Sequence, residues 1–236
     1  MKHISTISIS QATTWSMCAW LKHREPNVCT HSCDGIPMQE CSLRIIRLAK
    51  EKNLPLVLDG DGIALVVRDP DCIRGYTRAV LTPNVVEYGR LCKALFPSTS
   101  PSSSPELKIQ PVADLANILG NVTIVQKGAT DIISDGKSSL ECSLGSSPRR
   151  CGGQGDVLSG AIATFLSWTL DAKRSFDPSV SLEGVGPGCV LAAFAGSFFT
   201  RILSQHAFAK AKRSMTTTDL IAEIGVTFEN LFPSSF

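Results

Sequence analysis

From about residue 38 the chain alternates apolar faces and apolar runs at spacings that predict layered helices and strands. Met38, Cys41, Ile45 and Ala49 recur at helical intervals, leaving Arg44, Arg47, Lys50 and Lys52 for a wet face. Leu54-Pro55-Leu56-Val57-Leu58 follows as a short, wholly apolar strand, the kind a sheet shows when both its faces are covered. Asp59-Gly60-Asp61-Gly62 ends it, and aspartates between glycines read as a turn before they read as metal ligands. Ala79-Val80-Leu81 is the next strand, halted by Thr82-Pro83-Asn84, with Asn84 placed to cap a helix whose buried face is Tyr88, Leu91, Cys92 and Leu95.

Pro97 to Pro111 holds four prolines and six Ser or Thr, which predicts a surface loop rather than a domain boundary, because the same rhythm resumes after it. Asp114 to Leu119 reads as helix and Val122 to Gln126 as a buried strand. Ile132 to Leu140 reads as a hairpin turning at Asp135-Gly136. Helices are predicted over Val157–Leu170, roughly Cys189–Lys210, and Asp219–Leu231 with Thr218 as cap. No internal repeat is visible. The economical reading is one α/β domain over residues 36–236, preceded by an atypical segment, 1–35.

Composition narrows the function classes. The 236 residues are 43% hydrophobic and carry 23 basic against 21 acidic side chains, a formal charge of +2. Near neutrality argues against nucleic acid or an anionic membrane as main partner, and the apolar stretch Val190 to Phe199 is too short to span a bilayer. Nine scattered cysteines form no disulfide framework, which implies a reduced, cytoplasmic setting. Met1 to Arg24 lacks acidic residues and is rich in Ser and Thr, so a mitochondrial address is the alternative; an irregular tail is the preferred reading. Cys29, His31, Cys33 and Cys41 could offer four zinc ligands, but their spacing matches no structural zinc pattern. His206 has no acid nearby in sequence to suggest catalysis.

The chemistry concentrates in Arg149-Arg150-Cys151-Gly152-Gly153-Gln154-Gly155-Asp156. Positions 157, 158, 161, 162, 165 and 166 are apolar and make a helix with one buried face, so the glycines sit at its start. There, backbone N–H groups lack partners of their own and attract phosphate oxygens. Asp156 is the odd element: it is either an ordinary carboxylate at a helix start or a base that removes a proton from an attacking hydroxyl. Neither G-x-G-x-x-G nor the Walker pattern is present.

Gly152-Gly153-Gln154-Gly155-Asp156-Val157-Leu158-Ser159-Gly160 resembles the anion-hole and acid signature of the ribokinase superfamily. With Arg149-Arg150-Cys151 ahead of it, the segment is similar to the eukaryotic, ATP-dependent NAD(P)H-hydrate dehydratase branch. Leu58 to Gly62, Leu81 to Tyr88, Val122 to Gly128 and Ser214 to Asp219 agree in order. The resemblance implies a ribokinase-like, mostly parallel sheet flanked by helices, with early strands missing. It implies ATP and Mg²⁺ driving loss of water from the S form of hydrated NADH or NADPH, a lyase reaction that repairs the cofactor, with an NAD(P)HX epimerase as functional partner. On the same basis Asp156 is the catalytic base and also touches the hydrated nucleotide. Asn84, Val85, Val86, Glu87, Tyr88, Gly89 and Arg90 hold that substrate. ATP falls to Lys127, Gly128, Ala129, Thr130 and Asp131, and to Ser146, Ser147, Pro148, Arg149, Arg150, Cys151, Gly152, Gly153, Gln154 and Gly155.

The family carries a further stretch ahead of this region, including a Gly-Pro-Gly turn, and nothing before residue 36 resembles it. Gly186-Pro187-Gly188 echoes that turn only by coincidence of position. A truncated form, inactive or poorly soluble by itself, is therefore one expectation, since a sheet stripped of neighbours bares unpaired backbone. A small-molecule kinase that stops at the phosphorylated product is the other alternative.

Overall fold

The structure, a computed structural model, describes residues 7–9, 38–96, 109–170 and 188–233. Among the described residues six strands form one sheet in simple sequence order: β1 (Ile7–Ile9), β2 (Leu56–Leu58), β3 (Ala79–Leu81), β4 (Thr123–Gln126), β5 (Asp131–Ser134) and β6 (Ser139–Cys142). β1 to β4 are parallel; β4–β5 and β5–β6 are antiparallel. The fold is thus α/β with a mixed, mostly parallel sheet. The polarity changes where the chain abandons crossover helices for two hairpins: residues 127–130 join β4 to β5, and β5 turns into β6 where Asp135 accepts from the Lys137 and Ser138 amides at 2.9 and 2.7 Å.

Because the parallel strands advance steadily in one direction, right-handed crossovers lay the intervening helices on one face. These are α1 (Met38–Glu51), α2 (Asp61–Arg68), α3 (Val85–Leu95) and α4 (Ile109–Ile118). The other face is closed by α5 (Gln154–Thr169), α6 (Gly188–Ala211) and α8 (Ile224–Leu231), with the short α7 (Thr217–Ala222) beside them. Strand side chains alternate accordingly. Leu56, Leu58, Ala79, Leu81 and Ile124 enter the first core with Ile45, Ile63 and Leu115, whereas Val57, Val80, Val125 and Ile133 enter the second with Ile162, Phe165 and Phe199. Both sets are buried, which is why the strands read as unbroken apolar runs. In the second core α5 and α6 approach so closely that a Cβ on Gly196 would fall 2.4 Å from Ile162 Cγ1.

Several expectations need correction. The tail reading fails at residues 7–9, which pair with β2 in the register Ile7–Leu56 to Ile9–Leu58, so the sheet draws on both sides of residue 35. The Asp59–Gly62 turn is only its first half: Gly60 takes φ 49°, and Asp61 already opens α2. Pro111 lies inside α4, where a proline in the first turn removes no helical hydrogen bond; residues 97–108 of the expected loop lie outside the described residues. The last predicted helix is two. It breaks at Glu223, whose buried carboxylate meets Lys210 at 2.7 Å, and its cap is Thr216 rather than Thr218. The Asp219 carboxylate accepts from the Thr216 amide and hydroxyl at 2.7 and 2.8 Å, which fixes the register of that cap.

Cys41 packs in the first core, while Cys29, His31 and Cys33 lie outside the described residues. None of the six described cysteines is in a disulfide. Among the described residues no helix is long and apolar enough to cross a membrane.

Candidate active site

The carboxyl ends of β2, β3 and β4 lead to the same side of the sheet, where α/β folds place their ligands. Asp59 follows β2, Thr82-Pro83-Asn84 follows β3, and Lys127 follows β4, with the Lys127 amide donating to the Pro83 carbonyl at 2.9 Å. A cavity of about 500 Å³ opens there. Asn84, Val85, Val86, Lys127, Gly128, Asp131, Ser146, Ser147, Arg149, Arg150, Gln154 and Gly155 line it, so the structure brings these expected site residues together. Leu158 and, from α6, Ser197, Thr200, Arg201 and Ser204 complete the wall.

Two helices begin at this cavity and differ in their chemistry. At α3 the Asn84 side chain accepts from the Val86 and Glu87 amides at 2.9 and 3.0 Å, and Glu87 accepts in return from the Asn84 amide at 2.8 Å. This capping box closes the helix start with its own side chains. At α5 the N-cap is Gly153, left-handed at φ 86° and without a side chain to offer. Among the described residues the first-turn amides of Gln154, Gly155 and Asp156 therefore have no side-chain acceptor, and the positive end of the helix faces the cavity.

The loop leading to α5 is held from behind. Arg149 Nε donates to the Met215 carbonyl at 2.9 Å, the Thr217 hydroxyl donates to the Gly152 carbonyl, and Cys151 Sγ lies 3.5 Å from Thr217 Oγ1. A Cβ on Gly153 would meet that hydroxyl at 3.0 Å, so both φ and space require glycine. Ser147, buried, donates its amide to Ser204 Oγ at 3.1 Å. Arg150 is exposed at the cavity wall.

Arg201 was invisible to the sequence reading. It sits within a helix whose neighbours are mostly apolar, yet it is only 6% exposed and all five of its N–H groups are used. Nε meets Asp131 Oδ2 at 2.9 Å and Nη2 meets Asp131 Oδ1 at 2.7 Å. Nη1 donates to Ala129 and Leu144 at 2.8 and 2.7 Å, and Nη2 to Gly128 at 3.0 Å. Burial lowers the Arg201 pKa, but the paired Asp131 outweighs it and leaves the guanidinium above its ordinary value. Asp131 lines the cavity and at the same time anchors the 127–131 turn, accepting also from the Gly128 amide at 2.9 Å. Breaking one partner of so buried a pair costs about 3–5 kcal/mol.

Other expected residues fall outside the cavity lining. Tyr88 points into the first core, where burial pushes its hydroxyl pKa far up. Gly89, Arg90, Ala129, Thr130, Pro148, Cys151, Gly152 and Gly153 are likewise absent from the lining. Asp156 is exposed on the first turn of α5, one residue beyond Gly155, and no hydrogen bond or ion pair holds its carboxylate among the described residues. Ser197, fully buried in the wall, has a hydroxyl without a hydrogen-bond partner there. His206 is remote, bonded through Nδ1 to Thr227 Oγ1 at 2.9 Å.

A model of the family described as NAD(P)H-hydrate dehydratase matches residues 33–225, most of the chain and every wall of this cavity. The chain belongs to the NAD(P)H-hydrate dehydratase family. The ATP-dependent (S)-NAD(P)H-hydrate dehydratase of Neurospora crassa is 44% identical over 205 residues, covering 83% of this chain and 56% of its own length. That of Bos taurus is 43% identical over 190 residues, covering 80% and 54%. The chain thus spans about half the length of the curated dehydratases it matches. Among solved structures, the hydroxyethylthiazole kinase of Pyrococcus horikoshii superposes with a TM-score of 0.59 at 17% identity, covering 81% of this chain and 66% of its own. That likeness establishes the ribokinase-like fold of this dehydratase-family chain and nothing about its ligand.

Proposed function

We propose that this chain carries the ATP side of a dehydratase that returns (S)-NADHX or (S)-NADPHX to NADH or NADPH. The observation that carries the reading is the open start of α5: uncapped amides, Lys127 and Arg150 around one cavity, with an unengaged carboxylate on the next residue. Phosphate oxygens are the ligand such amides favour. The names of the relatives supply the substrate, and their extra length leaves the whole reaction to experiment.

In this reading the γ-phosphorus of ATP is attacked by the hydroxyl on the hydrated nicotinamide ring. Asp156 takes the hydroxyl proton, the new P–O bond forms, and ADP leaves as its own P–O bond breaks. The amides of the α5 start balance charge on the moving phosphoryl oxygens. Phosphate then departs with the ring C–O bond, a proton leaves the neighbouring ring carbon, and the double bond returns. Exposed Val85 and Val86, at the opposite wall, offer apolar contact to the hydrated ring. A buried, unpartnered Ser197 hydroxyl leaves one donor for the nucleotide.

Magnesium fits as an ion carried by the nucleotide. No cluster of three His, Cys, Asp or Glu gathers among the described residues, and Asp131 and Asp59 are each held by a cation. Magnesium keeps several waters and shares substrate phosphates, whose charge it would offset when bound. An epimerase supplying the S form is the functional partner this reading implies. The deciding experiment incubates the chain with hydrated NADH, ATP and Mg²⁺ and follows the restored dihydronicotinamide absorbance. Return of absorbance with ADP supports repair; ADP and a phosphorylated hydrate without absorbance would make the protein a kinase. Neither product would end the proposal.

A further inference from the structure

We infer that Asp59 is a positioning residue that holds Lys127 as the phosphate-facing cation of the cavity; the inference rests on the nucleotide reading above. Asp59 ends β2 and is 7% exposed, and its Oδ1 accepts from Lys127 Nζ at 2.8 Å across 68 residues of chain. The pair spans the end of β3 between them and lies against the open start of α5. A Cβ built on Gly155 would stand 3.1 Å from Asp59 Oδ2 and 3.7 Å from Lys127 Nζ. Gly155 is therefore bare because this pair passes beneath it, which gives the third glycine of the loop a reason separate from anion approach.

Two of the four cations of the wall, Arg201 and Lys127, differ in what they have left. Arg201 has spent every N–H on protein acceptors. Lys127 lines the cavity, and an ammonium has three N–H groups, of which Asp59 takes one. A lysine at a strand end otherwise loses its aim, since its long stem has many rotamers to sample. Asp59 removes that freedom while lying behind Lys127, outside the lining. The two side chains are only 21% and 10% exposed, so removing one partner also costs stability; a loss of binding confined to ligands that carry phosphate is what marks positioning.

The test measures calorimetric binding of ATP and of adenosine to the full chain, as wild type, Asp59→Asn, Lys127→Met and the double variant. Each single change should weaken ATP binding about tenfold. The double variant should bind no more weakly than Lys127→Met, and adenosine, lacking phosphates, should bind all four alike. In turnover, the KM for ATP should rise while the KM for the hydrated cofactor stays put. Should Asp59→Asn fail to fold, the Lys127→Met background carries the comparison, because adding Asp59→Asn there should leave ATP affinity unchanged. Wild-type ATP affinity in Asp59→Asn, losses that multiply in the double variant, or equal loss of adenosine would overturn the inference alone. A wild type that binds no ATP would overturn the nucleotide reading and this inference with it.

Discussion

The starts of α3 and α5 face one cavity and dispose of the same four orphan amides in opposite ways. Asn84 and Glu87 satisfy three of those of α3 from within the chain. Gly153 leaves those of α5 to whatever enters. A capped start is stable by itself and indifferent to anions, whereas one with glycine at the cap forgoes a few tenths of a kcal/mol of helix stability and keeps its partial charge for a ligand. In the proposed reading, what sets the anion site apart from an ordinary helix terminus is the absence of a competing side chain.

The contrast can be broken from either side. The largest effect belongs to the acid beside the open start: Asp156→Asn should lower turnover on the order of 10² to 10⁴-fold while ATP still binds, read by steady-state rates beside calorimetry. Unchanged turnover would remove Asp156 from the reaction. Gly155→Val should weaken ATP binding on the order of 10- to 100-fold, because its branches would meet Asp59 and Lys127 and crowd the amides. Retained nucleotide affinity would mean the α5 start is not the cradle. Opening the closed start is milder: Asn84→Ala should cost about 1 kcal/mol in denaturant unfolding and leave ATP affinity near wild type. A large loss of ATP affinity there would erase the distinction between the two helices.

The smallest effect sharpens the comparison with a third helix start. At α7, hydrogen bonds from the Thr216 amide and hydroxyl hold the Asp219 carboxyl below the ordinary carboxylate range. A depressed folded-state value stabilises above the unfolded value and is lost as pH falls through the folded one. Thermal melts of wild type and Asp219→Asn should therefore differ at neutral pH and converge in acid. A gap that persists at low pH would show that the charge of Asp219 contributes nothing.

How much of this was readable beforehand depends on how local the signal is. The runs Leu56–Leu58 and Ala79–Leu81 and the Tyr88–Leu91 face announced themselves, because each is buried by its own pattern. The start of α5 was legible for the same reason: its glycines and its apolar helix are contiguous. α2 was missed because Asp-Gly imitates a turn and only eight residues follow. β1 was missed because three residues among serines and threonines make no run. Thr216 was legible in principle, since it stands three residues before Asp219, a capping-box interval hidden among three consecutive threonines. Arg201 had no local signature, and Asp59 read only as part of a turn: their pairings exist only through partners 70 and 68 positions away.

Those separations set the order in which the molecule can be completed. Contacts distant in sequence close slowly, since the intervening chain must surrender its freedom before they form. A ribosome releasing this polypeptide from its amino end exposes β2 to β4 early, yet the 127–131 turn stays unanchored until Arg201 emerges, and the glycine loop lacks its backing until Met215 and Thr217 do. The cavity is thus among the last parts to mature. A nascent chain stalled before α6 would display a finished sheet edge and no pocket.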